Sequence, residues 1–237
     1  MTTRAGGASA APFASMNLGD AVGDDAAAVR ANRDRLAVVV GSEPFFLRQV
    51  HRDTVVRAGP GQGRHAVPVE ADASLATEPG VACTVLVADC LPVLFAAPAG
   101  RAVAAAHAGW RGLAAGVVEK TLIAVAEAAS CEPGEVSVWL GPCIGPAAFE
   151  VGADVLRAFG RAPEDTGRTR FKPGRPGHWL ADLPGLATDR LRAAGARLIS
   201  GGTGCTVAEP SRFFSFRRDG VTGRMAAAVW IRPAHKG

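Results

Sequence analysis

Two almost uncharged hydrophobic runs lie at the centre of the chain, over residues 81–88 and 101–106, and turn-forming residues bound both of them. Apolar runs of this length with such boundaries predict strands that are buried on both faces. The first run is followed by Asp89 and Cys90, and the second by His107 and a Gly-Trp-Arg-Gly turn. Strand ends combine a rigid scaffold with access to solvent, so these residues are the first candidates for chemistry.

The rest of the pattern predicts strands and helices in irregular alternation. Strands are expected at 45–50, continuing through 55–56, and at 136–140 and 225–231, and helices at 26 to about 41, 113–129, 154–159 and 182–194. Residues 1–11 are expected to be loosely ordered, and residues 160–178 to form a long mobile connection. Without an internal repeat or a clear linker, the alternation predicts an α/β or α+β fold in one domain over residues 1–237.

Composition narrows the function classes. The net charge is +4 among 237 residues, and the arginines are scattered, so no basic patch for nucleic acid is indicated. No stretch is long and apolar enough to span a bilayer, and the N-terminal residues lack the apolar core of a signal peptide. We therefore expect a cytoplasmic protein with neither nucleic acid nor membrane as a partner.

One candidate metal site emerges from the cysteines and histidines. The five cysteines contain no Cys-x-x-Cys pair, which argues against a disulfide framework and against a four-cysteine zinc site. His51, Cys90 and His107 each end a predicted strand, and two imidazoles with one thiolate suit a catalytic zinc with an open position. Taken singly, Cys90 is also compatible with a core thiol and His107 with a hydrogen-bonded turn histidine.

Seven motifs give the chain a specific resemblance. They are PFASMNLGDAVGDD, RQVH, EADA, VADCLPV, HAGWRG, WLGPCIGP with FEVG, and SFRRDG with TGR, in this order. From about residue 12 to residue 231 the chain resembles the YfiH-like family, whose older labels are laccase domain and polyphenol oxidase. Its members are now regarded as purine nucleoside phosphorylases.

The resemblance implies a fold, a metal and an activity. The implied fold has four layers, α/β/β/α, and the implied zinc ligands are His51, Cys90 and His107. The implied substrates are phosphate and the purine nucleosides adenosine, inosine, guanosine and methylthioadenosine, with deamination of adenosine as a second activity. Copper is the alternative metal, and we expect a monomer.

Candidate roles follow for other residues of these motifs. Cys90 and His107 are the proposed catalytic pair, with Asp89 as the candidate proton carrier for deamination. Arg48 and Arg111 are the candidates for holding phosphate, and Asn17 for a contact within the pocket.

Two positions depart from the family pattern. Arg52 replaces a usual glycine, which is expected to narrow or recharge the pocket mouth. Phe216 replaces a usual tyrosine, which removes a hydroxyl group. Neither departure affects the three expected metal ligands.

Two rival functions remain open at this stage. A copper oxidase fits the older label and a thiolate ligand, but a multicopper enzyme needs more than five histidines, of which His65 and His235 look peripheral. A metal-free hydrolase would use Cys90 as nucleophile and His107 as base, consistent with a reported family link to cell-wall precursors.

Overall fold

The central feature is a pair of β-sheets that pack face to face. The computed structural model describes residues 1–59, 61, 67–162 and 170–233. The helices are α1 Ala26–Val40, α2 Trp110–Ala115, α3 Val117–Ala129, α4 Ala153–Ala158, α5 Leu183–Ala193 and α6 Phe216–Asp219. The strands are β1 Glu43–Phe45, β2 Leu47–Arg48, β3 Val55–Arg57, β4 Val69–Glu70, β5 Ala73–Ala76, β6 Val81–Val87, β7 Leu91–Ala96, β8 Val103–Ala108, β9 Ser137–Leu140, β10 Glu150–Gly152, β11 Phe171–Pro173, β12 His178–Ala181, β13 Leu198–Gly201 and β14 Met225–Trp230.

The two large sheets and their helices form four layers. A three-stranded sheet, β1-β6-β14, packs against a six-stranded sheet, β13-β9-β7-β8-β5-β3. Alternation along β6 directs Val81 and Cys83 into the core between the sheets and Ala82 toward α1. The outer face of the six-stranded sheet packs against α3 and α5. The order helix, sheet, sheet, helix confirms the expected α/β/β/α fold.

Helix boundaries follow local capping chemistry. The Asp25 side chain accepts hydrogen bonds from the first amides of α1, and Gly41 ends the helix in a left-handed conformation (φ 66°). The helix expected over 113–129 is instead two helices, α2 and α3. Gly116 (φ 101°) separates them, because a left-handed residue cannot continue a right-handed helix.

Residues 1–11 form hydrogen bonds with distant parts of the chain, whereas a loosely ordered start was the expectation. The Thr2 amide donates to the Ala226 carbonyl of edge strand β14 at 2.8 Å. The Ala8 amide donates to the Asn32 side chain of α1 at 2.8 Å. The small, polar composition of this segment predicts a backbone that is hydrogen-bonded to water, but pairing with a sheet edge gives these backbone groups partners within the protein.

Two other segments differ from expectation. The single strand expected over 45–50 is divided between β1 and β2, which pair with different partners. The connection expected over 160–178 contains β11 and the start of β12, which form a small sheet with β10. Residues 163–169, His65 and His235 lie outside the described residues. In the part of the chain that the structure describes, no helix has the length and apolarity needed to cross a bilayer.

The chain passes between the two large sheets at one end of the sandwich. Residues 88–90 connect β6 of the three-stranded sheet to β7 of the six-stranded sheet, and His51 lies where the chain runs from β2 toward β3. His107 is the penultimate residue of β8 and lies opposite Pro92 of β7. The crossing at residues 88–90, the connection from β2 to β3 and the end of β8 therefore bring His51, Cys90 and His107 to the same place.

Candidate metal centre and substrate pocket

Three donor side chains converge at this end of the sandwich. The donor atoms of His51, Cys90 and His107 all lie within 4.8 Å of one another, and His51 Nε2 lies 3.9 Å from Cys90 Sγ. The two imidazole rings meet edge to face at 80°. Zinc bonds of about 2.0–2.3 Å at tetrahedral angles place two ligand atoms roughly 3.5 Å apart, so the spacing suits one metal ion.

A buried carboxylate accepts hydrogen bonds from the His107 ring and from the backbone of His51. Asp72 is fully buried, and its Oδ1 accepts from His107 Nδ1 at 2.8 Å and from the His51 amide at 2.9 Å. Its Oδ2 accepts from the amides of Val50 at 3.1 Å and Arg52 at 2.8 Å. These bonds hold His51 in a left-handed conformation (φ 59°) and leave His107 Nε2 available to a metal, as a carboxylate behind a ligating histidine does.

The thiol and the buried imidazole form a charged pair when no metal is bound. Burial alone raises the pKa of Cys90, but the charge of His107 and hydrogen bonds from both imidazoles lower that pKa to about 6. Burial alone lowers the pKa of His107, but the Cys90 charge and the hydrogen bond to Asp72 raise it to about 9. Cys90 is thus a thiolate near neutral pH, the form that binds metals and reacts as a nucleophile.

The pH dependence of Cys90 alkylation tests this pairing. In metal-free protein, the rate of alkylation by iodoacetamide should rise through pH about 6 and then level off, because only the thiolate reacts. In a His107→Ala variant the rise should move toward about 8.5, the value of an unperturbed thiol. Peptide mass spectrometry measures both curves, and a wild-type midpoint near that of the variant would contradict the pairing.

Gly109, the residue before α2, lies against two of the donor side chains. A β-carbon there would be 3.0 Å from Cys90 Sγ and 3.0 Å from His51 Cδ2. We expect Gly109→Ala to displace one donor, at a cost of about 1–3 kcal/mol in metal binding or in stability. Competition with a chelator measures the first effect, and thermal unfolding measures the second. Gly59→Ala is the matched control, because a β-carbon there would meet no atom of the described residues within 4 Å.

A cavity of about 610 Å³ opens over the three donors, a volume typical of small-molecule sites. Its other walls are mixed in character. They include the apolar Phe46, Leu86, Val87 and Phe216 and the polar Asp20, Arg33, Arg48, Gln49 and Arg224. A planar apolar ligand with polar substituents suits such a lining.

The other predicted site residues occupy different positions. Arg48 lines the cavity, with its side chain 64% exposed and 3.4 Å from Glu70. Asp89 accepts hydrogen bonds from Thr206 Oγ1 at 2.6 Å and from the Arg217 amide at 2.7 Å. These bonds anchor the turn before Cys90, and Asp89 is not among the described lining residues.

Arg111 and Asn17 also lie outside the described lining of the cavity. The Arg111 guanidinium stacks on the Trp110 ring, 4.3 Å from its centroid. Asn17 is fully buried, and its amide nitrogen donates to Asp24 and to the Gly19 carbonyl. Its amide oxygen accepts from the Gly19 and Arg224 amides, so Asn17 shapes a loop next to the cavity.

The two departures from the family pattern have distinct settings. Arg52 is exposed, donates its amide to Asp72 and is absent from the described lining of the cavity. Phe216 lines the cavity with 59% of its surface exposed, and presents an aromatic face there.

Sequence reasoning missed three residues of the site. Asp72 lies in the EADA motif, where an acid between two alanines was the available signal. Gln49, next to the expected ligand His51, pairs its side chain with both backbone groups of Leu86 at 2.7 and 2.8 Å. Arg224 lies in the TGR motif, which carried the resemblance but received no role.

The fold and the site together define a class: a four-layered α/β/β/α protein with a His-Cys-His centre where the chain crosses from one large sheet to the other. Residues 1–232 match the family described as multi-copper polyphenol oxidoreductase laccase, and the chain belongs to this family.

Curated relatives and solved structures resemble almost the whole chain. The protein named purine nucleoside phosphorylase PA4543 of Pseudomonas aeruginosa is 49% identical over 98% of this chain and 92% of its own. Purine nucleoside phosphorylase YfiH of Escherichia coli is 44% identical over 97% of this chain and 92% of its own. The crystal structure of NMB0706 from Neisseria meningitidis superposes with a TM-score of 0.90 at 47% identity. The superposition covers 98% of this chain and 93% of that one.

Proposed function

We propose that this protein is a zinc-dependent purine nucleoside phosphorylase. The single observation that carries the proposal is the convergence of His51, Cys90 and His107 beneath a cavity of about 610 Å³. The names of relatives up to 49% identical over nearly the full chain supply the reaction class.

The donor set favours zinc. One thiolate and two imidazoles, with a carboxylate behind one imidazole, match catalytic zinc sites that keep an open position. Zinc held there would supply a Lewis acid at the cavity floor. Copper accepts the same donors, but multicopper oxidation needs several such centres. Within the described residues this is the single group of three or more potential ligands found.

In phosphorolysis, the chain's own side chains bind the base and hold the cavity floor while the glycosidic bond is replaced. A phosphate oxygen forms a bond to the anomeric carbon, while the bond from that carbon to the purine nitrogen breaks. The electron pair leaves with the purine, which takes up a proton, and the sugar 1-phosphate is released. Phe216 and Leu86 give the base apolar surface, while Asp72 fixes His107 and so limits movement at the cavity floor.

We propose deamination of adenosine as a second reaction of the same pocket, in which the oxygen of water bonds to C6 of the purine and the amino group leaves as ammonia. It needs a group that carries protons. The carboxylate of Asp89, the earlier candidate, is engaged by Thr206 and Arg217, so its assignment as the carrier is not supported.

A metal-free cysteine hydrolase is the second candidate function. The observation in its favour is the lowered pKa of Cys90 beside the raised pKa of His107, which is the charge state of an activated thiol. Its substrate would be an amide of a cell-wall precursor. Metal content separates the two functions, because a thiolate bound to zinc is not a free nucleophile.

Metal analysis and a nucleoside assay test the proposal together. Protein purified without added metal should contain about one zinc per chain. Adenosine and inosine should release free base only when phosphate is present, and adenosine should yield inosine without it. Chromatography follows the products. Metal-free protein that leaves every nucleoside intact would contradict the proposal and favour the hydrolase.

A further inference from the structure

Among the described residues, three arginines line the cavity, and they differ in how their charges are balanced. Arg33 forms an ion pair with Asp20 at 3.1 Å, and Arg48 forms one with Glu70 at 3.4 Å. Arg224 has no acidic partner within ion-pairing distance among the described residues. A partly buried cation without an acidic partner is unfavourable unless an anion binds to it.

The hydrogen bonds of Arg224 leave donors available. Nη1 donates to the carbonyls of Thr222 at 2.9 Å and Gly223 at 3.1 Å, which fixes one edge of the guanidinium. Nε and Nη2 have no hydrogen-bond partner in the parts of the chain that the structure describes. A guanidinium held by one edge can offer its remaining N–H groups to a tetrahedral oxyanion.

The backbone around Arg224 is built to place this side chain. Its amide donates to the buried Asn17 side chain at 2.8 Å, and its carbonyl accepts from the Leu18 amide at 3.0 Å. Its stem packs over Gly19, where a β-carbon would come within 2.8 Å of Arg224 Cγ. The Asn-Leu-Gly turn of the N-terminal motif therefore positions Arg224.

The sheet register brings Arg224 beside the donor trio. Met225 pairs with Val87 at the end of β6, so the preceding residue Arg224 adjoins Ala88, two residues from Cys90. The negative charges of Cys90 and Asp89 both act on the Arg224 guanidinium. A divalent ion bound to the Cys90 thiolate would offset the negative charges of Cys90 and Asp89, and so leave the charge of Arg224 available to an incoming anion.

We infer that Arg224 is the anion-binding residue of the cavity and that it holds the phosphate co-substrate beside the donor trio. The inference rests on the proposed function and adds a site to it, in place of the expected phosphate role of Arg111. Arg224 orients the phosphate whose oxygen bonds to the anomeric carbon as the purine departs.

Titration of the metal-loaded protein with inorganic phosphate, in the absence of nucleoside, tests the inference directly. Arg224→Gln should weaken phosphate binding, and raise the KM for phosphate, by about tenfold to a hundredfold. Arg48→Gln should have a smaller effect. Arg101→Gln makes the same charge change at the opposite end of the β7–β8 hairpin and should behave as the wild type.

Circular dichroism and metal content show whether Arg224→Gln remains folded and loaded. If it does not fold, Gly19→Ala replaces it, since this change keeps the charge and displaces the Arg224 stem. The Gly19 variant should weaken phosphate binding several-fold. Wild-type affinity in whichever variant folds, or a larger loss in Arg48→Gln, would overturn the inference.

The outcomes also separate this inference from the proposed function. Phosphate binding that depends on Arg224, in a protein that cleaves no nucleoside, would support the anion site and contradict the phosphorylase. Nucleoside cleavage with an unchanged phosphate KM in Arg224→Gln would support the phosphorylase and contradict the anion site. A wild-type protein that binds no phosphate would contradict the inference.

Discussion

Replacing Cys90 by alanine is expected to remove the bound metal and to lower kcat/KM for nucleoside phosphorolysis by about 10³-fold or more. The thiolate is the only negative ligand of the trio, and its charge is what holds a divalent cation between two neutral imidazoles. The side chain is small and lies at the cavity floor, so its removal should leave the fold intact.

The matched control is Cys131→Ala, because Cys131 is another free cysteine that follows α3 and is absent from the described cavity lining. It should keep metal content and kcat/KM at the wild-type values. Elemental analysis and steady-state kinetics are measured on both variants. A Cys90→Ala protein with full metal content and activity would show that the trio is not the catalytic centre.

Replacing Asp72 by asparagine is expected to weaken metal binding by about tenfold to a hundredfold. Asparagine is nearly the same size, but it lacks the negative charge that fixes the proton on His107 Nδ1. Its amide group also cannot accept all four hydrogen bonds that the carboxylate receives.

Competition with a chelator gives the metal affinity of Asp72→Asn, and nitrogen NMR of His107 reports which ring nitrogen carries the proton. A change of tautomer is the signature of a positioning role, since general destabilisation would not produce it. Asp189→Asn is the control, because it removes an exposed carboxylate paired with Arg170, a type of contact worth about 0–1 kcal/mol. Equal affinities in the two variants would contradict the role of Asp72.

Local patterns predicted the parts of the fold that depend on local chemistry. The capping carboxylate of Asp25 and the glycine at 41 bound α1 within a residue of its expected span. The uncharged run at 81–88 predicted β6, which ends at Val87. The run at 101–106 marked β8, but the strand extends to Ala108, because pairing with β7 continues to Ala108 opposite Leu91.

Contacts between distant parts of the chain were beyond local patterns. Asp72 accepts from the Arg52 amide 20 residues away, and the Arg224 amide donates to Asn17 at the other end of the chain, contacts that no local spacing encodes. The strand β7 was not predicted, so the change of sheet at Cys90 was not expected either. The motifs identified the members of the donor trio, whereas their surroundings required the tertiary structure.

The three donors come from chain segments that are distant in sequence, and this has a mechanical consequence. A metal bound by His51, Cys90 and His107 would link His51 to Cys90, which are 39 residues apart in sequence. It would restrict the unfolded chain as a disulfide does. Metal loss would then loosen one end of the sandwich first, with faster amide hydrogen exchange at residues 50–52 before the rest of the molecule opens.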